Sequence, residues 1–118
     1  MRYAIATLSL ALFLPIGAHA ATRSGLYGTV MRGPITPVCV AEQPCDEPAA
    51  GAVLVFSQAG SGIAGRARVK ANGSYRITLA AGTYTVRTRS GRRIDPTTVR
   101  VRAGRFRNVD FSIDTGIR

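Results

Sequence analysis

NGSYRITLAAGTYTVRTR, residues 72–89, decides the fold. Tyr75, Ile77 and Leu79 alternate with Ser74, Arg76 and Thr78, which puts apolar side chains on one face and polar ones on the other. A period of two is the pleat of a β-strand with one face in a core and one in water. Asn72-Gly73 opens the stretch with a two-residue hairpin signal, because both residues tolerate a positive φ. Ala81-Gly82 supplies a second turn, and Tyr84 and Val86 then continue the apolar face against Thr83, Thr85, Arg87 and Arg89. No window has a helical period.

The same reading extends in both directions. Residues 24–32 (SGLYGTVMR) predict a first strand with Leu26, Gly28 and Val30 on one face. Residues 33–51 hold four of the six prolines and both cysteines, so they form a long loop. Residues 52–57 (AVLVFS) are apolar on both faces, as in a central strand. Gly60-Ser61-Gly62 makes a turn into residues 63–70, where Ile63, Gly65, Ala67 and Val69 face inward against Ala64, Arg66, Arg68 and Lys70. Residues 96–102 turn Val99 and Val101 inward, with Arg100 and Arg102 outward. A last strand after Ala103-Gly104 runs to about Asp114, with Val109, Phe111 and Ile113 inward. About seven short strands, with a turn signal every 8–12 residues or so, predict an all-β antiparallel sandwich, prealbumin-like or Ig-like.

The first twenty residues are of another kind. Arg2 and the amino terminus give a small basic start, and residues 4–14 are apolar. Pro15 and Gly17 then break any helix, and Ala18-His19-Ala20 fits a signal-peptidase site. The reading is a signal peptide over residues 1–20, cleaved after Ala20, and one domain over 21–118. The apolar run is too short to span a bilayer, which needs roughly twenty residues, and no later stretch is long enough. The expected location is secreted or periplasmic. In that oxidising setting Cys39 and Cys45 read as a local disulfide stapling the 33–51 loop. Closing so short a loop stabilises by about 2 kcal/mol in the chain-entropy model.

Gly28–Val30 (GTV), Ala52–Phe56 (AVLVF) and Val69–Val86 (VKANGSYRITLAAGTYTV) together resemble the carboxypeptidase regulatory-like domains. Those domains are prealbumin-like (transthyretin-like) sandwiches, and the resemblance spans nearly all of the chain after residue 20. It implies that Gly73 and Gly82 are turn positions and that Tyr75, Tyr84 and Val86 are core. It also implies a folding or interaction accessory, often attached to a larger protein.

Catalytic constellations are scarce. His19, the only histidine, falls in the leader, which removes Ser-His-Asp and Cys-His catalysis and histidine metal sites together. Asp114-Thr115-Gly116 matches the aspartic-protease triplet, but so short a motif reads as an ordinary turn after the last strand. Asp95, Asp110 and Asp114 have no expected cleft between them for paired-carboxylate hydrolysis. The acidic residues of the loop (Glu42, Asp46, Glu47) lack the regular ligand spacing of a calcium site. Lys70, the sole lysine, should face solvent and so offers no buried amine for an isopeptide cross-link. The expectation is a non-enzyme with no cofactor and no metal.

Charge supplies the remaining functional signal. Sixteen Lys and Arg against six Asp and Glu give a net charge of +10. Alternation turns Arg66, Arg68, Lys70, Arg76, Arg87, Arg89, Arg100 and Arg102 outward. They form one basic face if their strands are neighbours and two diluted ones if the strands are split between sheets. Arg92, Arg93, Arg105 and Arg107 are candidates to extend such a patch. Arginine's planar fork suits phosphate, sulfate and carboxylate. The leading reading is a protein-interaction or structural accessory of the cell envelope, working through sheet edges or loops. The alternative is a binding module for anionic glycan or lipopolysaccharide; a third reading, a small hydrolase, is disfavoured by the lack of histidine after the leader. Intracellular nucleic acid is not expected as a partner, and Tyr27 and Phe106 are the only plausible outward aromatics for stacking.

Overall fold

The computed structural model describes residues 23–118. The leader expected over residues 1–20 lies outside them. Strands run in the order β1 (Gly25–Gly33), β2 (Glu47–Pro48), β3 (Val53–Gln58), β4 (Gly62–Arg68), β5 (Ser74–Thr78), β6 (Gly82–Thr88), β7 (Ile94–Asp95), β8 (Thr98–Val101), β9 (Phe106–Asn108) and β10 (Phe111–Asp114). They form two sheets. One has the order β4-β3-β6-β8; the other is built around β1.

β1 is long enough to take two partners on each side. Its first half pairs with β5 and its end with β2, both antiparallel. On the opposite side it pairs with β9 and then β10, both parallel, and β7 closes the sheet beyond β10. The sandwich is all-β, as the alternation predicts, but it is not wholly antiparallel. Alternation fixes which face a side chain takes and says nothing of strand direction. Here β8 lies in the other sheet, so the chain must cross between sheets to return, and it arrives beside β1 running the same way.

The core is filled from both layers. Leu26, Val30, Tyr75, Ile77 and Phe111 from the β1 sheet meet Leu54, Phe56, Tyr84, Val86, Val99 and Val101 from the four-stranded one. The Phe111 ring sits edge-on to Phe56 with centroids 6.2 Å apart, and 5.5 Å from Tyr75. The core positions implied by the resemblance, Tyr75, Tyr84 and Val86, are all buried. Each tyrosine hydroxyl finds a carbonyl, Tyr75 on Val109 and Tyr84 on Ala80, as buried phenols require. Burial raises both phenol pKa values, and the nearby Asp110 charge adds to the effect at Tyr75.

Ile63 departs from the expected alternation. The register between β3 and β4 shifts after Phe56, which opposes Gly65, whereas Ser57 opposes Ile63. This bulge moves Ile63 to the outer face, where it is 44% exposed. Thr88 keeps the alternation of Tyr84 and Val86 and so is a polar residue on the inner face. It is buried, with its hydroxyl donating to the Arg92 carbonyl at 2.7 Å. The 33–51 loop is stapled by the Cys39–Cys45 disulfide and ends in the short strand β2.

Candidate binding surface

The outer face of the four-stranded sheet is set by register. Val55 of β3 lies opposite Arg66 of β4 on one side and Arg87 of β6 on the other. One pleat along, Val53 opposes Arg68, and the Arg89 amide donates to the Val53 carbonyl at 2.9 Å. Two rows of paired arginines therefore flank a valine spine. Val55 is only 4% exposed, yet it is not part of the inter-sheet core. The aliphatic stems of the flanking arginines cover it while their charged heads stay in water. A depression of about 330 Å³ is lined there by Val55, Ile63, Arg66, Arg87 and Arg89. A second of about 330 Å³ lies beside Val53, Arg68 and Arg89.

The remaining basic residues are dispersed. Lys70 is exposed in the link from β4 to β5, where its amide donates to the Ser74 carbonyl. Arg100 opposes Thr83, four residues along β6 from Arg87, so it sits roughly 13 Å from the arginine rows. Arg100 and Arg102 border their own depression beside Ala81–Thr83. Arg76 belongs to the other sheet, where its guanidinium lies 3.8 Å over the Phe106 ring. Of the eight residues read as one possible patch, Arg66, Arg68, Arg87 and Arg89 come together and the others do not.

Salt bridges lie away from the rows. Among the described residues the ion pairs are Arg32 with Glu47 at 2.8 Å and Arg118 with Asp114 at 3.0 Å. The Arg118 guanidinium and the Gly116 amide hold the Asp114 carboxyl at a pKa of about 2. A larger cavity of about 510 Å³ lies at the end of the sandwich, lined by Ile35, Ala49, Ile113 and Ile117. Its two guanidiniums are already engaged, Arg32 by Glu47 and Arg92 by the Thr115 carbonyl.

The stapled loop forms a second exposed surface. Val38 and Val40, on either side of Cys39, are 72% and 58% exposed. The loop is tied at its root. Thr115 donates its amide to Gly33 and its hydroxyl to Pro34 at 2.6 Å, and the Ile35 amide donates to Cys45 at 2.8 Å.

The model of the carboxypeptidase regulatory-like domain matches residues 39–114, from the first cysteine to the end of β10. The chain belongs to that family. The match begins after β1, although β1 is the strand on which one sheet is built. No curated protein matches the sequence. Among solved structures, this regulatory-like domain is similar to GBS52, the minor pilin of the gram-positive pathogen Streptococcus agalactiae. The two share 16% identity at a TM-score of 0.52, over 80% of this chain and 45% of the pilin, a likeness of fold. The chain thus spans under half the length of that pilin chain. Family and fold suit a structural or interaction module.

The arginine rows required two facts that alternation lacks. One is that β4, β3 and β6 are neighbours. The other is the bulge that brings Ile63 to the same face. The hint available in the sequence was Val53 and Val55 themselves, apolar residues on the side of a strand whose neighbours carry arginine.

Proposed function

We propose that this regulatory-like domain is an exported, non-enzymatic interaction module of the cell envelope, docking a partner protein through the stapled 33–51 loop. The observation that carries this reading is the pair Val38 and Val40, apolar and exposed on a loop that a disulfide holds in shape. A loop already ordered loses little conformational freedom on binding, so its contacts are turned more fully into affinity. The test is cross-linking of the purified protein to envelope fractions at high salt, beside a Val38→Ser/Val40→Ser variant. Capture of one defined protein that persists in salt and is lost in the variant is expected. Capture that is unchanged in the variant would remove the loop from the contact.

The arginine rows support a second reading, a module for an anionic envelope polymer. Four guanidiniums on one face, outside every ion pair among the described residues, favour an acceptor-rich partner.

A further inference from the structure

We infer that the free edge of β4 takes up an acidic strand from another protein, in antiparallel pairing. This surface is separate from the stapled loop, and its contacts are made by backbone as well as by charge. The direction of the backbone groups follows from the ladder on the other side of β4. The Val69 amide donates to the Ala52 carbonyl at 2.8 Å, Ala67 opposes Leu54, and Gly65 opposes Phe56. These residues turn their N–H and C=O toward β3, so Arg66 and Arg68 turn theirs away from it. Among the described strands β4 ends its sheet, and both arginines are exposed. The other edges are shorter or engaged. β4 has seven residues, against four in β8, three in β9 and two each in β2 and β7. On β5 the Ser74 amide donates to Asn72 Oδ1 and the Ser74 carbonyl accepts from the Lys70 amide, while the Arg76 side chain lies over Phe106.

Side chains select the occupant. Directly opposed residues of an antiparallel pair share a face, so the partner residues across from Arg66 and Arg68 lie beside the guanidiniums and are two apart in sequence. A second copy pairing over the same residues would set arginine against arginine, which is destabilising. Carboxylates at those two positions are stabilising instead. No two of the six Asp and Glu lie two residues apart in the sequence, so the chain does not itself hold the complementary strand. The partner residue between the two carboxylates faces inward. There β4 offers the buried Ala67 and Gly65, against which Ile77 and Leu79 pack. The occupant is a strand in which Asp or Glu alternates with apolar or β-branched residues.

The experiment uses the purified protein and the peptide Ac-TEVEVET-amide, with Ac-EEEVVTT-amide, of the same composition and charge, as the control. Amide hydrogen exchange is read by NMR. The alternating peptide is expected to slow exchange at the Arg66 and Arg68 amides by about tenfold or more, while the Ala67 amide, already in the β3 ladder, stays as it was. N-methylation of its glutamates, whose amides face β4, should weaken binding by about tenfold or more; N-methylation of its valines, whose amides point away, should not. Arg66→Glu/Arg68→Glu should lose this peptide and take up Ac-TKVKVKT-amide, which also shows that the variant is folded. Equal binding of both acidic peptides, with the two amides still exchanging freely, would overturn strand addition and leave the anionic-polymer reading in place. Protection by the acidic peptide that persists in the charge-reversed variant would overturn the choice of an acidic partner. No binding of the alternating peptide would overturn the inference outright.

Discussion

The Asp110 carboxylate accepts the Thr29 amide at 2.9 Å and the Thr29 hydroxyl at 3.2 Å. It does so in the gap between two parallel ladders. Tyr27 opposes Asn108 and Val30 opposes Phe111, so the register is unbroken across residues that make no ladder pair. A side chain takes over there from the backbone, with the Val109 amide donating to Tyr27 at 2.9 Å beside it.

That close approach depends on Gly28. A Cβ at this position would lie 2.3 Å from the Val109 carbonyl oxygen and 2.7 Å from Asp110 Oδ1, and backbone cannot step aside cheaply. Gly28→Ala is expected to destabilise by about 2–3 kcal/mol, read as a lower urea midpoint at an unchanged m-value. A variant as stable as the parent would show that the seam is looser than these distances.

Asp114 makes a pH prediction. Its carboxyl sits at about 2 instead of 3.8, chiefly through the Arg118 hydrogen bond and then the Gly116 amide. A lowered folded pKa means that the contribution is complete above about pH 4 and is lost as pH falls through about 2. Carbon-detected NMR titration should place the Asp114 midpoint near 2, and Arg118→Met should move it partway back toward the ordinary carboxylate value. The return is incomplete because Gly116 remains. An ordinary midpoint in the parent protein would mean that the exposed Arg118 pair does not persist in solution.

The disulfide spans a sequence separation of 6. Cys39→Ser/Cys45→Ser is expected to lower stability by about 2 kcal/mol, measured by chemical denaturation. Amide exchange should quicken within residues 34–46 and stay slow in β3 and β6. Equal quickening across both sheets would mean that the staple acts on the whole domain.

Much of the architecture was legible because alternation is a direct imprint of the pleat. Tyr75, Ile77, Tyr84, Val86, Val99, Val101, Phe111 and Ile113 are buried as their spacing predicts. Strand direction was not legible, since a side chain's face is the same in parallel and antiparallel pairs. Ile63 was misplaced because a bulge breaks the count of two without changing composition. The arginine rows were half visible: outward facing followed from periodicity, but neighbourhood depends on sheet order, which set Arg76 apart on the other layer. β2 and β7 are two residues each and too short to carry a period.

The parallel seam has a mechanical consequence. β1 begins beside Phe106, the start of β9, and finishes beside Asp114, the end of β10. Tension entering the chain ahead of Gly25 and leaving it after Asp114 therefore pulls these neighbours lengthwise past each other. The hydrogen bonds of the seam are loaded together, in shear, instead of opening one at a time like a zip. A domain threaded this way resists being drawn out by its ends, and it would transmit force between whatever lies on either side.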